Sequence, residues 1–152
     1  MITQEELSGF AMFKGLNPRE VEPILRIAKE QNREAGEQIF EEKALATHMY
    51  LVAEGGVEIA VQRGDGTPVV VDRAGPGDVF GWSAITEPHT FTAGARAAQP
   101  TRLIVFEGEK LRRLFEANNH IGYRILKEVA AIVTRRLKAR DSEFAKAAIP
   151  IR

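Results

Sequence analysis

The chain contains no cysteine among its 152 residues. A disulfide scaffold, a thiolate zinc site and a cysteine-held iron–sulfur cluster are therefore excluded. Its three histidines, His48, His89 and His120, are far apart in the sequence and do not show the spacing of metal ligands. The sequence accordingly predicts no metal site, and nothing in it marks an axial ligand for a haem.

The chain also lacks a charge surplus and a long apolar run. Lys and Arg number 21 and Asp and Glu number 21, so the formal net charge is zero. A domain dedicated to nucleic acid usually carries a basic surplus, which this balance does not provide. No apolar run approaches the length of a membrane span, and the N-terminus is not a signal peptide. We therefore expect a cytoplasmic protein without a membrane partner.

Residues 1–30 are predicted to form N-terminal helices. Asn17 can cap a helix, Pro18 suits its first turn, and Glu20 lies three residues after the cap, as in a capping box. Apolar residues then recur at helical spacing at Val21 and Ile24. This pattern predicts a helix over residues 18–29.

Residues 31–107 have the pattern of many short strands. The glycine-containing run at residues 64–66 predicts a hairpin turn, because Asp-Gly tolerates positive φ. Short antiparallel strands with glycine turns favour a sandwich or barrel. The predicted strands lie at residues 38–40, 49–52, 57–61, 69–71 and 103–106.

Residues 108–140 are predicted to be helical again, and residues 141–152 to be a frayed tail. The last helix carries two apolar stripes, of which one can pack on the barrel and the other on a partner helix. Alternatively, both stripes serve one core. The stripes are Ile125, Val129 and Ile132, and Leu126, Val129, Val133 and Leu137.

We expect this helix to form a homodimer. The dimer face is predicted to consist of Ile125, Val129, Ile132, Val133 and Arg136. The basic run at residues 135–140 is interpreted as a charged helix surface, with phosphate contact as the alternative.

Three motifs occur in order in the β region. They read AGEQIF at residues 35–40, MYLV followed by GGV at residues 49–57, and PGDVFG at residues 76–81. Together they resemble the motifs of cyclic-nucleotide-binding domains, which serve as the sensor half of Crp/Fnr-type bacterial transcription regulators. The resemblance extends over residues 10–140. It implies a mainly β fold, a double-stranded β-helix or jelly-roll barrel with flanking helices, in a single domain over residues 1–152.

In this family the ligand lies in a short cassette that starts at Phe-Gly, and the matching segment here is residues 80–97. A small helix of the cassette presents backbone N–H groups to the cyclic phosphate. The N–H groups of Ser83 and Ala84 should supply that anion site here. The resemblance implies a pocket formed by Phe80, Gly81, Trp82, Ser83, Ala84, Thr90, Phe91, Thr92 and Ala93.

The pocket lacks the two side chains that typically grip cAMP or cGMP in the family. Those are a Glu directly after Phe-Gly, for the ribose 2′-hydroxyl, and an Arg for the phosphate; this chain has Trp82 and Phe91 there. Loss of the Arg alone removes a contact worth about 1.5–3 kcal/mol. Arg96 is close in sequence, but strand alternation should point it away from the face of Phe91.

We therefore expect a degenerate pocket and no tight binding of cAMP or cGMP. A cyclic nucleotide or another small anionic ligand is the candidate effector. The sequence does not call for a definite cofactor. Trp82 and Phe91 either fill the pocket as core or line it for a flatter, less charged ligand.

The sequence predicts a regulatory protein and not an enzyme. GWSAI at residues 81–85 resembles a G-x-S-x-G nucleophile elbow but lacks its final glycine and its βα setting. Crp/Fnr-type regulators continue into a helix-turn-helix domain, and this chain ends at Arg152. We expect a stand-alone sensor domain with no direct DNA binding. The alternatives are a ligand-free protein-interaction domain and a regulator fragment without its DNA-binding domain.

Overall fold

The computed structural model describes residues 1–148, 150 and 151. Within these residues, helices precede and follow a block of eight strands. The α-helices are α1 (Gln4–Ser8), α2 (Pro18–Ile27), α3 (Gly108–Ala117) and α4 (Asn119–Ala147), and 3-10 turns lie at Ala11–Phe13 and Trp82–Ala84. The strands are β1 (Ala28–Arg33), β2 (Gln38–Phe40), β3 (His48–Glu54), β4 (Val57–Gln62), β5 (Pro68–Ala74), β6 (Val79–Phe80), β7 (Gly94–Ala97) and β8 (Thr101–Glu107).

The strands form two antiparallel sheets that enclose a roll. The first sheet has the order β1-β8-β3-β6 and the second the order β2-β7-β4-β5. The β4–β5 hairpin turns at Gly66, whose φ is 87°, as the Asp-Gly pattern predicted. The mainly β fold with flanking helices is therefore confirmed.

The central strands of the first sheet, β3 and β8, are buried on both faces, which explains their continuous apolar runs. On β3, Leu51 belongs to the core shared with the helices, whereas Tyr50 and Val52 face the core inside the roll. On β8, Ile104 belongs to the core shared with the helices, and Leu103 faces the core inside the roll. The molecule thus has a helical layer, a shared first sheet, and a second sheet closing the roll.

Helix α2 begins as the sequence predicted but ends earlier. Asn17 Oδ1 accepts from the Glu20 N–H at 3.0 Å, and Glu20 Oε1 accepts from the Asn17 N–H at 3.2 Å, which completes the capping box. The helix ends at Ile27 instead of residue 29, because the chain from Ala28 pairs with β8. Sequence patterns missed β1, since its residues are mostly polar.

Helix α4 is longer than predicted. It continues to Ala147, so the predicted tail at residues 141–152 is wrong for residues 141–147. The segment lacks glycine and proline up to Pro150, so nothing in it stops the helix. Of the predicted tail, residues 149 and 152 lie outside the described residues.

The predicted dimer face of α4 is also wrong in most of its members. Ile125, Val129 and Ile132 are buried in the core of this chain, and the Arg136 side chain is only 15% exposed. Val133 alone among the five predicted residues is exposed. One apolar stripe therefore packs on the domain, where α4 contacts α3 and the turn Ala11–Phe13.

Two kinds of site, a membrane-spanning helix and a metal-binding cluster, are not found among the described residues. No helix among them combines the length and apolar character needed to cross a membrane. No cluster of three or more His, Asp and Glu side chains in this part of the chain could hold a metal ion.

Helix α3 packs directly behind the turn Trp82–Ala84. The Gly108 N–H donates to the Thr47 carbonyl at 2.8 Å, and Arg112 donates to the Ala84 carbonyl. A Cβ on Gly108 would lie 2.9 Å from the Ala84 Cβ and closer still to the Ala84 carbonyl oxygen. The start of α3 therefore leaves no room for a side chain.

We predict that Gly108→Ala lowers the free energy of unfolding by about 1–3 kcal/mol, because the added methyl group overpacks this contact. Gly64→Ala is the matched control, since nothing lies within 4 Å of a Cβ there. Urea unfolding followed by circular dichroism measures both. Equal effects of the two substitutions would contradict the tight α3 contact.

Candidate functional site

The predicted cassette begins with a left-handed glycine and a short turn. Gly81 has φ 76°, and a Cβ there would lie 3.0 Å from the Tyr50 ring. The Ala84 N–H donates to the Gly81 carbonyl at 3.2 Å. That N–H is thus already engaged, which corrects the expectation that Ser83 and Ala84 both offer free donors to an anion.

The chain then returns along the loop between β2 and β3. The Phe91 N–H donates to the Ala44 carbonyl at 3.0 Å, and the Lys43 N–H donates to the Phe91 carbonyl at 2.8 Å. Thr90 forms an isolated antiparallel bridge with Leu45. His89 Nδ1 lies 2.8 Å from the Ser83 carbonyl oxygen, so this histidine fastens the cassette loop to itself.

Phe91 lies inside the fold and not on a pocket wall. Its side chain is 5% exposed, and its ring stacks on Phe40 with centroids 3.6 Å apart and an interplanar angle of 9°. Tyr50 and Phe80 stack 5.0 Å apart, and each lies within about 6 Å of the Phe40 ring. We call Phe40, Tyr50, Phe80 and Phe91 the aromatic cluster.

Burial in the aromatic cluster raises the pKa of Tyr50. Phe80 is fully buried and Ala93 nearly so, whereas Thr92 is exposed. Thr92, which was predicted to line the pocket, therefore faces solvent, in a bend between two buried neighbours. Strand alternation along β7 places Arg96 on the outer surface, as expected, and Arg96 pairs there with Glu58 at 3.4 Å.

Trp82 is half-buried and contacts helix α4. The Arg136 guanidinium carbon lies 4.4 Å from the centroid of the Trp82 ring. Arg136 also forms an ion pair with Asp72 of β5. Burial lowers the pKa of Arg136, and the Asp72 carboxylate opposes that shift.

Sequence reasoning missed the Arg136 contact by placing the residue on a dimer face. The helical spacing correctly grouped Arg136 with Ile125, Val129 and Ile132, but the spacing alone could not show that this stripe packs on the domain. The partner residue Asp72 left no comparable signal, because it lies in a strand far away in the sequence.

A cavity lies elsewhere on the domain. It has a volume of about 750 Å³ and is on the outer face of the second sheet, lined by Glu58, Ala60 and Arg96 among others. Of the residues that the structure describes, none of the nine predicted pocket residues lines it. The predicted pocket residues of the cassette therefore do not form this cavity.

A family model supports the resemblance directly. The model of the cyclic nucleotide-binding domain matches residues 30–118, which is more than half of the chain. The match begins within β1 and contains β2 to β8 and α3, and thus the whole cassette.

Known proteins agree with this match. A crystal structure of a protein from Geobacter metallireducens, provisionally named a cyclic nucleotide-binding protein, has 33% identity and a TM-score of 0.79, covering 90% of this chain and 99% of that chain. The cyclic AMP receptor protein of Thermus thermophilus is 28% identical over 91% of this chain and 62% of its own length. A Rhodopseudomonas palustris protein provisionally named a potassium channel protein is 32% identical over 75% of this chain and 27% of its own length.

These relatives place the same domain in proteins of different length. The chain spans less than two thirds of both curated relatives. The high structural agreement confirms the predicted jelly-roll fold. The chain therefore belongs to the cyclic nucleotide-binding domain family, with the domain type of the Crp/Fnr regulators.

Proposed function

We propose that this chain is a regulatory domain whose nucleotide site is filled by its own side chains, so that cAMP and cGMP do not bind it tightly. The observation that carries the proposal is the stack of Phe91 on Phe40 at 3.6 Å. Phe91 occupies the position at which binders in the family have the phosphate-pairing Arg, and its ring is 5% exposed.

The energetic argument has two independent parts. A nucleotide at Phe91 would have to expose an aromatic ring, and burial of such a side chain is worth about 1.5–3 kcal/mol. The absent guanidinium would withhold another contact of about 1.5–3 kcal/mol. Either part weakens binding by roughly tenfold or more, since about 1.4 kcal/mol corresponds to a factor of ten.

The turn Trp82–Ala84 supports the same proposal. The indole of Trp82 stands where the ribose-binding Glu is expected, and Arg136 already covers its ring face. The Ala84 N–H is bonded within the turn. The Thermus relative is named for cyclic AMP, and here this ligand would find neither the ribose-binding Glu nor the phosphate-pairing Arg.

A second function is supported by the outer stripe of α4. Leu126 is 43% exposed, Val133 40% and Leu137 58%. These residues recur at coiled-coil spacing on a helix whose opposite stripe is already buried in the domain. We therefore propose that the domain acts through this stripe, in a homodimer, and that a small anionic effector changes the packing of α4 if one binds.

We predict that the wild-type chain shows no saturable heat with cAMP or cGMP in isothermal titration calorimetry. The variant Trp82→Glu with Phe91→Arg should raise cAMP affinity about tenfold to a hundredfold, because it restores the carboxylate for the ribose and the guanidinium for the phosphate. The control, Trp82→Gln with Phe91→Leu, removes the aromatic bulk without adding either charge and should gain less.

Tight binding of cAMP by the wild type would contradict the proposal. Equal gains in the two double variants would show that the volume of the aromatic side chains, and not the absence of the Glu and Arg charges, limits binding. If the charged variant does not fold, the wild-type titration still decides the proposal.

We predict that the wild type sediments as a dimer through the outer stripe of α4. Val133→Glu should yield a monomer, because a charge buried between two apolar helices is not solvated. Ala131→Glu is the matched control, since Ala131 is exposed on the opposite side of the same turn. Analytical ultracentrifugation measures all three. A monomeric wild type, or dissociation by both substitutions, would contradict the assignment of the outer stripe.

A further inference from the structure

Arg136 is the last residue of α4 that packs against the roll. Ile132, one turn earlier, is 4% exposed, and the Arg136 side chain is 15% exposed. From Leu137 to Ala147 every residue is exposed. The helix therefore leaves the body of the domain directly after Arg136, and this residue decides where the projecting part starts.

The guanidinium of Arg136 is held by two elements at once. Its carbon lies 4.4 Å from the ring centroid of Trp82, which belongs to the cassette. The guanidinium also forms an ion pair with Asp72 of β5. A cationic group over an indole face is attracted by the ring quadrupole, more strongly when water is excluded. One side chain thus connects the cassette, the second sheet and the long helix.

The charges around this contact come from three directions. Asp72 and Arg73 belong to β5, Asp78 precedes β6, and Arg135 lies on α4 beside a small cavity of about 110 Å³ that Arg136 also lines. Arg140, one turn later on α4, repels the guanidinium, and Asp72 and Asp78 attract it. The two acids therefore favour the docked position of α4 at Arg136.

We propose that Arg136 is the positioning residue that couples the cassette to α4, holding the helix docked only while both Trp82 and Asp72 retain its guanidinium. The inference rests on the proposed function in treating residues 80–97 as the regulatory segment. A shift of Trp82 then frees the helix beyond Ile132, and this changes the direction in which Val133 and Leu137 are presented.

The test measures the position of the helix in the full chain under native conditions. The chain has no cysteine, so two can be introduced for spin labels without background, at Ser142 on the projecting part of α4 and at Arg63 beside the β4–β5 turn. Double electron–electron resonance on diluted, mixed labelled and unlabelled protein then gives the distance distribution within one chain. Trp82 is the chain's one tryptophan, so its fluorescence reports on the same contact.

We expect one narrow distance distribution in the wild type and a broader or displaced one in Arg136→Gln, with changed Trp82 emission. Asp72→Asn should shift the distances in the same direction, and Arg136→Lys should preserve part of the wild-type population. Arg135→Gln is the matched control, since it removes a neighbouring exposed charge that does not contact the indole; it should retain the wild-type distribution. Amide exchange at residues 133–147 should quicken about tenfold or more in Arg136→Gln, should quicken also in Asp72→Asn, and should stay unchanged in Arg135→Gln.

Wild-type distances in both Arg136→Gln and Asp72→Asn would overturn the inference, as would equal displacement in Arg135→Gln. A merely structural role would lower global stability without moving the label distances of the folded protein. If Arg136→Gln does not fold, Asp72→Asn decides the question. The measurement needs no nucleotide, so tight cAMP binding by the wild type would contradict the proposed function while leaving this result to be judged separately.

Discussion

The stack of Phe91 on Phe40 is the interaction on which the properties of the site depend. The Phe91 ring lies inside the fold, and the Phe91 backbone is joined to the loop at Lys43 and Ala44 by two hydrogen bonds. An aromatic ring there needs no partner charge and excludes water, whereas an arginine would need an anion opposite it. In the function proposed above, this one side chain decides whether the site is a binding pocket or a packed interior.

The coupling proposed between the cassette and α4 does not run through the interior of the roll. The central strands of the first sheet are buried on both faces and offer little freedom to move. The contact between Trp82, Arg136 and Asp72 lies at the edge of that packing, where the cassette, β5 and α4 meet. Its strength is set by charge and by exclusion of water, both of which a small movement can change.

Much of the fold was predictable because its strongest signals are local. The capping box at Asn17, the turn at Gly66 and the apolar run of β3 each fix one element without reference to the rest of the chain. β1 was not predictable, since its polar residues become a strand only by pairing with β8, which lies far away in the sequence. The site followed the same division: alternation correctly placed Arg96 outside, but two equally apolar stripes on α4 could not show which one the domain buries.

The most direct measurement of the central claim is an NMR titration of the wild-type chain with cAMP, observing the Trp82 indole N–H and the backbone amides of residues 80–97. A packed interior predicts that these resonances stay in place at nucleotide concentrations that saturate binding members of the family. Saturable shifts confined to these residues, together with new contacts between the nucleotide and the Phe91 ring, would contradict it.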